Sequence, residues 1–308
     1  MGENMHTHTA NCQIISQMFL AGADQKKPEM RSPSVKGAMR YWWRAAQRID
    51  DVERLKRREA EIFGSSGSDV GRSKFRIGIG NRRLVVGEYS LLPHRPGSPA
   101  PAQALEPEGT FSIDISSRHA SILTTARHAL ELSAMLGGLG RRSRRGLGSY
   151  YIENNHIETN ESASLNEKIN SDLNALSRLE GENGYLIRDQ SINGGTISGV
   201  IVGPETMVEK HIRTGNPQPK NYPQIIFVVT KKVTMSKDDI LRVIGNISHK
   251  YPGNDCGGIN PRFASPVYCS LYKYNGDLFL IVTLLSSPQG INRSYQEQFI
   301  LEVISYAR

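Results

Sequence analysis

Cysteine is scarce: the 308 residues hold three, Cys12, Cys256 and Cys269. None forms a Cys-x-x-Cys pair, so neither a disulfide framework nor a thiolate zinc site is expected. A reducing compartment, the cytoplasm, fits that usage. Long apolar runs are missing too. A stretch of about 18 uninterrupted apolar residues would be needed to suggest a membrane span, and none occurs. The first dozen residues are polar and lack the apolar stretch of a signal peptide. Catalytic constellations are equally absent. The eight histidines show no ligand-like spacing. Carboxylates do not pair into an evident acid/base or two-metal set, and no Ser-His-Asp or Cys-His arrangement is legible. No catalytic residue, metal or cofactor is therefore expected.

What is present is an ordinary globular composition, 38% hydrophobic with mean hydropathy −0.41, long enough for about two domains. The formal charge is +8, and it is unevenly spread: residues 1–150 carry 23 Lys and Arg against 14 Asp and Glu, whereas residues 151–308 carry 15 against 16. The basic surplus belongs to the first half, which points to a polyanion partner for that half.

Hydrophobic periodicity gives the layout. Cys12–Leu20 reads as a strand, Val35 to Ile49 as a helix with Ser34 at its N-cap, and Asp51–Phe63 as a second helix. Lys74–Gly80, Arg82–Leu92 and Thr110–Ile115 read as strands. Pro93–Pro107 reads as a loop, and Ser117 caps a long helix ending at Leu136 before Gly137-Gly138. Ser149–Ile152 is a further strand, and the polar residues 153–164 form the expected linker. Beyond it come a helix at Leu165–Leu179, glycine-rich pieces at Gly181–Gly203, a strand at Gln224–Val233 and a helix at Lys237–His249. Two strands, Phe263–Lys273 and Asp277–Leu285, are joined at Asn275-Gly276, and Arg293–Tyr306 is the last helix. The order is βαββαβ with insertions over residues 1–153. It is βαββα from 224 onward, within a second expected module of residues 154–308. The expected fold is therefore α+β, two ferredoxin-like modules, the second without an evident last strand.

Two basic clusters stand out. On the helix from 35, Val35, Met39, Trp42, Ala46 and Ile49 share one face, the core face. Lys36, Arg40, Arg44 and Gln47 share another, with Trp43 beside it. No acid occurs from Lys36 to Ile49. A cation stripe one turn apart can follow a nucleic-acid backbone. The helix N-terminus at Ser34 adds N–H donors, and Trp43 offers a surface for base stacking. A solvated helix face is the plainer reading. The second cluster, residues 137–148, interleaves five glycines with Arg141, Arg142, Arg144 and Arg145. It ends a helix rather than opening one, so it is neither a Walker A loop nor a dinucleotide fingerprint. Glycines admit close backbone approach and arginines fork onto phosphates, so it reads as a polyanion cradle. A basic surface loop is the alternative. Arg72 to Arg83 adds five cations and no acid, either extending the basic surface or marking a charged sheet edge.

The stretch Pro28-Glu29-Met30-Arg31-Ser32-Pro33-Ser34-Val35-Lys36-Gly37-Ala38-Met39-Arg40-Tyr41-Trp42-Trp43-Arg44-Ala45 resembles the opening motif of the RAMP superfamily. The likeness is to the family of first-numbered subunits in Cmr (type III-B CRISPR) effector complexes. Gly137–Ser149 resembles that family's glycine-rich loop, with weaker echoes at Glu61–Gly64 and Arg262–Pro266. The resemblance implies two packed ferredoxin-like modules. It implies a non-catalytic part in antiviral defence: holding single-stranded guide and target RNA near the guide 3′ end and aiding target capture. Other Cmr RAMP subunits would be its neighbours. The expected RNA contacts are Arg31, Ser34, Lys36, Arg40, Trp43, Arg44, Gly140, Arg141, Arg142, Arg144 and Arg145. Two alternatives compete: a RAMP endoribonuclease processing CRISPR precursor RNA through His128, and a basic scaffold binding acidic protein surfaces.

Overall fold

The computed structural model describes the chain apart from residues 1–3, 50, 67–70, 96, 98–99, 154–163, 179–182, 193–194, 205–221, 252–255, 257, 260–261, 287–292 and 308. The linker expected at 153–164 falls almost wholly outside the described residues.

The first half holds β1 (His6–Ile14), α1 (Ser32–Ala46), α2 (Val52–Phe63), β2 (Phe75–Arg83), β3 (Val86–Tyr89), β4 (Ala102–Leu105), β5 (Thr110–Ser117), α3 (Ala120–Leu136) and β6 (Tyr150–Ile152). Its main sheet runs β2-β5-β1-β6, all neighbours antiparallel. Counting these as first to fourth strands, the order from β6 is 4-1-3-2, the ferredoxin-like arrangement. β3 and β4 form an inserted hairpin. Ala10, Cys12 and Ile14 of β1 and Phe111, Ile113 and Ile115 of β5 face one core. Thr9 and Asp114 hydrogen-bond on the opposite, wet face at 2.6 Å. That alternation is why a strand rich in Thr, His and Asn pairs so well.

The second half holds α4 (Leu165–Ser177), β7 (Leu186–Ile192), β8 (Gly195–Val202), β9 (Ile225–Lys232), α5 (Lys237–Lys250), β10 (Gly258–Ile259), β11 (Arg262–Phe263), β12 (Val267–Tyr274), β13 (Asp277–Leu285) and α6 (Arg293–Tyr306). Its large sheet runs β12-β13-β9-β8-β7. The place beside β9 that a closing strand would take is filled by β8, which precedes β9 in the chain. The module is complete, and its last position is supplied from upstream. Asn275 (φ 49°) and Gly276 (φ 83°) turn the β12–β13 hairpin in the left-handed region, as the Asn-Gly pair predicts.

This second sheet is buried on both faces. Tyr268, Tyr272 and Tyr274 of β12 point into the core shared with the first half, and Val267, Cys269 and Leu271 into the core under α5 and α6. α3 lies between the two sheets and is buried over eight of its last eleven residues. It packs on α1, α4, β5 and β12 alike, so it is covered on several sides rather than along a single stripe. Ser270 Oγ donates to the Met135 carbonyl at 2.6 Å, pinning β12 to that helix.

Several expected boundaries move. α1 begins at Ser32, with Arg31 at the N-cap and Pro33 in the first turn. Ser34 is therefore inside the helix and caps nothing. The segment read as a loop, Pro93–Pro107, contains β4. Its alternating Ala102–Leu105 pairs with β3, an edge that the preceding prolines conceal. β7 and β8 form a hairpin within the stretch read as glycine-rich pieces. β2 lies at the sheet edge, so its cations mark a charged edge strand.

Candidate nucleic-acid interface

Along α1 the stripe is less open than its sequence implies. Glu59 of α2, 8% exposed, pairs with both Arg40 and Arg44, the latter at 3.5 Å. Arg40 also donates to the Gly64 carbonyl. The acid missing from α1 is thus returned by the next helix, and two cations share one carboxylate. Among the described residues Lys36 has no carboxylate partner, and its ammonium lies 5.2 Å from the Phe75 ring. Burial first and Arg40 second hold it below the ordinary lysine value.

Trp43 is not a stacking platform. It is 1% exposed and packs edge-on against Phe63, ring centroids 5.9 Å apart. An indole this large gains more from core burial than from solvent. Nor does Ser34 offer a free backbone donor, since its N–H bonds to the Arg31 carbonyl at 3.1 Å and Pro33 has none.

The glycine-rich loop is a packed junction. Gly148 (φ 70°) accepts from Leu139 N–H at 2.9 Å and donates to the Gln17 carbonyl at 2.9 Å. A Cβ there would lie 1.9 Å from the Leu139 carbonyl oxygen. Gly140 (φ 91°) is exposed, yet its missing side chain serves the protein: a Cβ would meet the Phe19 carbonyl oxygen at 2.4 Å. That close approach lets Arg141 N–H donate to Phe19 at 3.0 Å.

The four arginines of this loop have different jobs. Arg141 and Arg142 are exposed. Burial, then Arg145 and Arg141, hold Arg142 below the ordinary arginine value, the mark of cations crowded together. Arg144 lies over the Tyr268 ring at 4.8 Å, beside Tyr41. Arg145 turns inward. It donates to the Val267 carbonyl at 2.9 Å and the Cys256 carbonyl at 2.7 Å, with Phe299 5.3 Å beneath it. Both its terminal nitrogens are engaged by main-chain carbonyls, so its structural task is to join the two halves. The loop's backbone makes the same joint, Cys269 N–H donating to Arg144 at 3.1 Å.

Four cations, Lys26, Lys27, Arg31 and Arg141, lie along one segment. Residues 19–29 lead from the first sheet to α1, with Glu29 N–H donating to Leu20 at 2.7 Å and a bridge between Ala21 and Pro28. Arg141 is bonded to its start and Arg31 follows its end. Between them opens a groove of about 540 Å³ lined by Lys26, Lys27 and Arg141, with Asp24 and Glu88 on its walls. Lys26 and Lys27 escaped the sequence reading because a lone pair of lysines in a loop has no periodic signal.

His128 lies elsewhere. Its Nδ1 is 2.8 Å from Asp172, whose other oxygen takes Lys168 at 2.8 Å, and Lys168 also reaches Glu131. Burial opposes the Lys168 charge, but the Asp172 and Glu131 carboxylates outweigh it and raise its pKa. The group clamps α3 to α4. The His128, Glu131 and Asp172 ligand atoms are near enough to share a cation, and the Lys168 ammonium is the cation that bridges the two carboxylates.

Two α+β modules of ferredoxin-like type, joined through a glycine-rich loop, define the class of protein. The profile of the RAMP superfamily matches residues 11–151, from β1 through the loop to β6. Over residues 11–151 the chain is therefore similar to the RAMP superfamily. It is 32% identical over 178 residues to the CRISPR system Cmr subunit Cmr1-1 of Pyrococcus furiosus, covering 51% of each chain. It is 29% identical over 185 residues to Cmr1-2 of the same organism, covering 48% of this chain and 96% of that one. The matched stretch thus spans about half of the first relative. Among solved structures, apo Cmr1 from Pyrococcus furiosus superposes with TM-score 0.60 at 18% identity, covering 98% of this chain and 97% of that one. A chain of the type III-B Cmr-beta complex bound to cognate target RNA superposes with TM-score 0.56 at 13% identity, covering 98% and 99%. These two likenesses carry the fold.

Proposed function

We propose that this chain is a Cmr1-type, non-catalytic, RNA-binding subunit of a type III-B CRISPR effector complex. It holds single-stranded guide and target RNA near the guide 3′ end and aids target capture beside other Cmr subunits. The observation that carries this reading is the groove lined by Lys26, Lys27 and Arg141, with the Arg31 side chain lying beside Gly22 of the same segment. The reading adds Lys36, Arg40, Arg44 and Arg142 as further contacts, and Arg144 over Tyr268. Exposed cations around a groove suit a phosphodiester strand, because each contact releases a counterion. The relatives' names support the assignment to a Cmr assembly. Photo-crosslinking of the chain to single-stranded RNA tests it. Crosslinked peptides are expected within residues 19–44 and 138–146, and crosslinks confined to the second module would overturn the reading.

Endoribonuclease action by His128 has one observation in its favour, the orienting bond from Asp172. Incubation with CRISPR repeat RNA separates the two. Intact RNA is expected, and cleavage abolished by His128→Ala would favour the enzyme.

A further inference from the structure

A second basic cavity lies where α1 ends, α2 begins and α4 stops. It encloses about 580 Å³ and is lined by Arg48, Arg54, Arg58 and Arg178, with Asp51 and Ser177. α1 is 15 residues long, about 22 Å, so this cavity and the groove beside Arg31 are at opposite ends of that helix. Asp51 is the one carboxylate among its described lining residues, and it is already engaged. Its side chain accepts from Glu53 N–H at 2.9 Å and Arg54 N–H at 3.2 Å as the N-cap of α2.

Four guanidiniums therefore face this space without a free acid among the described lining. Arg48 is held over the Tyr185 ring at 4.9 Å and donates one N–H to the Ile225 carbonyl. Its Nε and Nη1 are buried and have no hydrogen-bond partner among the described residues. Buried donors left unmade are costly, and their presence at a cavity wall marks a place for an acceptor. Burial, then Arg178 and Arg54, hold Arg58 below the ordinary arginine value, so the cations act on one another across the cavity. Guanidinium forks match phosphate oxygens two at a time.

We propose that this cavity is a phosphate-binding site distinct from the interface at the other end of α1. The ligand chemistry is a phosphate group carried either by a free nucleotide or polyphosphate or by a single strand of RNA. It goes beyond the function proposed above and does not depend on it.

The test uses the full chain with Arg54→Gln/Arg178→Gln, both exposed side chains, and Lys36→Gln/Arg141→Gln as the interface control. Thermal melting first confirms that both variants fold. Calorimetry with pyrophosphate and with ATP reads the free-phosphate source, and filter binding of a 20-nucleotide oligouridine reads the strand. A tenfold or greater loss of pyrophosphate or ATP affinity in the cavity variant alone supports the site with a free phosphate. A loss of oligouridine affinity with a salt slope lower by about 1.4, two single-strand contacts, supports it with a strand. Unchanged affinity for every probe in the cavity variant overturns the proposal, whatever the interface control does. Loss in the control alone upholds the interface and removes this site.

Discussion

Arg145→Ala separates structural from RNA-binding arginines. In the folded protein Arg145 donates to the Val267 and Cys256 carbonyls at 2.9 and 2.7 Å and stacks on Phe299. Each hydrogen bond from a charged donor contributes about 1.5–3 kcal/mol. Truncation also leaves Val267, 0% exposed, with a carbonyl deprived of that partner. Lost cation–π contact adds about 0.5–1 kcal/mol. The sum is a destabilisation of about 3.5–7 kcal/mol. That is large against a typical total stability of about 5–15 kcal/mol. Urea denaturation followed by circular dichroism measures it as a lower midpoint. Arg141→Ala, in the same loop but exposed, is expected to leave that midpoint within about 0.5 kcal/mol and to weaken RNA binding instead. If Arg145→Ala unfolds at the wild-type midpoint and loses RNA affinity, the division of labour within the loop is wrong.

Other outcomes follow from the same contacts. Gly148→Ala places a Cβ 1.9 Å from the Leu139 carbonyl at a φ of 70°, so soluble yield and melting temperature should fall sharply, whereas wild-type melting would refute the packed-loop reading. Glu59→Gln frees Arg40 and Arg44 from their shared carboxylate. The RNA salt slope should steepen by about 0.7, one added single-strand contact, and a shallower slope would show that those arginines do not face RNA. His94 and His249 meet ring to ring at 2.7 Å between Nε2 atoms. Burial, then His249, Arg142 and Arg95, lower the His94 pKa, and burial, then Arg95 and Arg142, lower that of His249. Each binds its proton more weakly folded than unfolded, so their stability contribution is complete above about pH 6.5 and is lost as pH falls toward the folded values. Melting temperature should decline from pH 7 to 5 less steeply in His94→Gln/His249→Gln, and parallel curves would count against the pair.

Local pattern made much of this molecule readable. The spacing of Val35, Met39, Trp42 and Ala46 gave the buried face of α1, and β13 and α6 have the bounds their residues imply. Elements set by distant partners did not show. β8 closes a sheet from upstream, an order no local signal carries. Trp43 looks like its exposed neighbours until Phe63 of α2 covers it. Glu59 neutralises a stripe fifteen or more residues before it. Most tellingly, Arg141 and Arg145 are alike in a basic run, and what parts them is two carbonyls 111 and 122 residues further on. The glycines signalled close approach correctly, but the approaching group is the protein's own backbone at Phe19 and Leu139.

The central claim is that the α1 end and the glycine-rich loop form one RNA surface. Filter binding of single-stranded RNA across a salt series, for wild type and for Lys36→Gln/Arg141→Gln, tests it most directly. The wild-type affinity should fall linearly in log–log form with salt, and the double variant should lower that slope by about 1.4 while melting like wild type. An RNA affinity that ignores salt, or a slope unchanged in the double variant, would contradict the account.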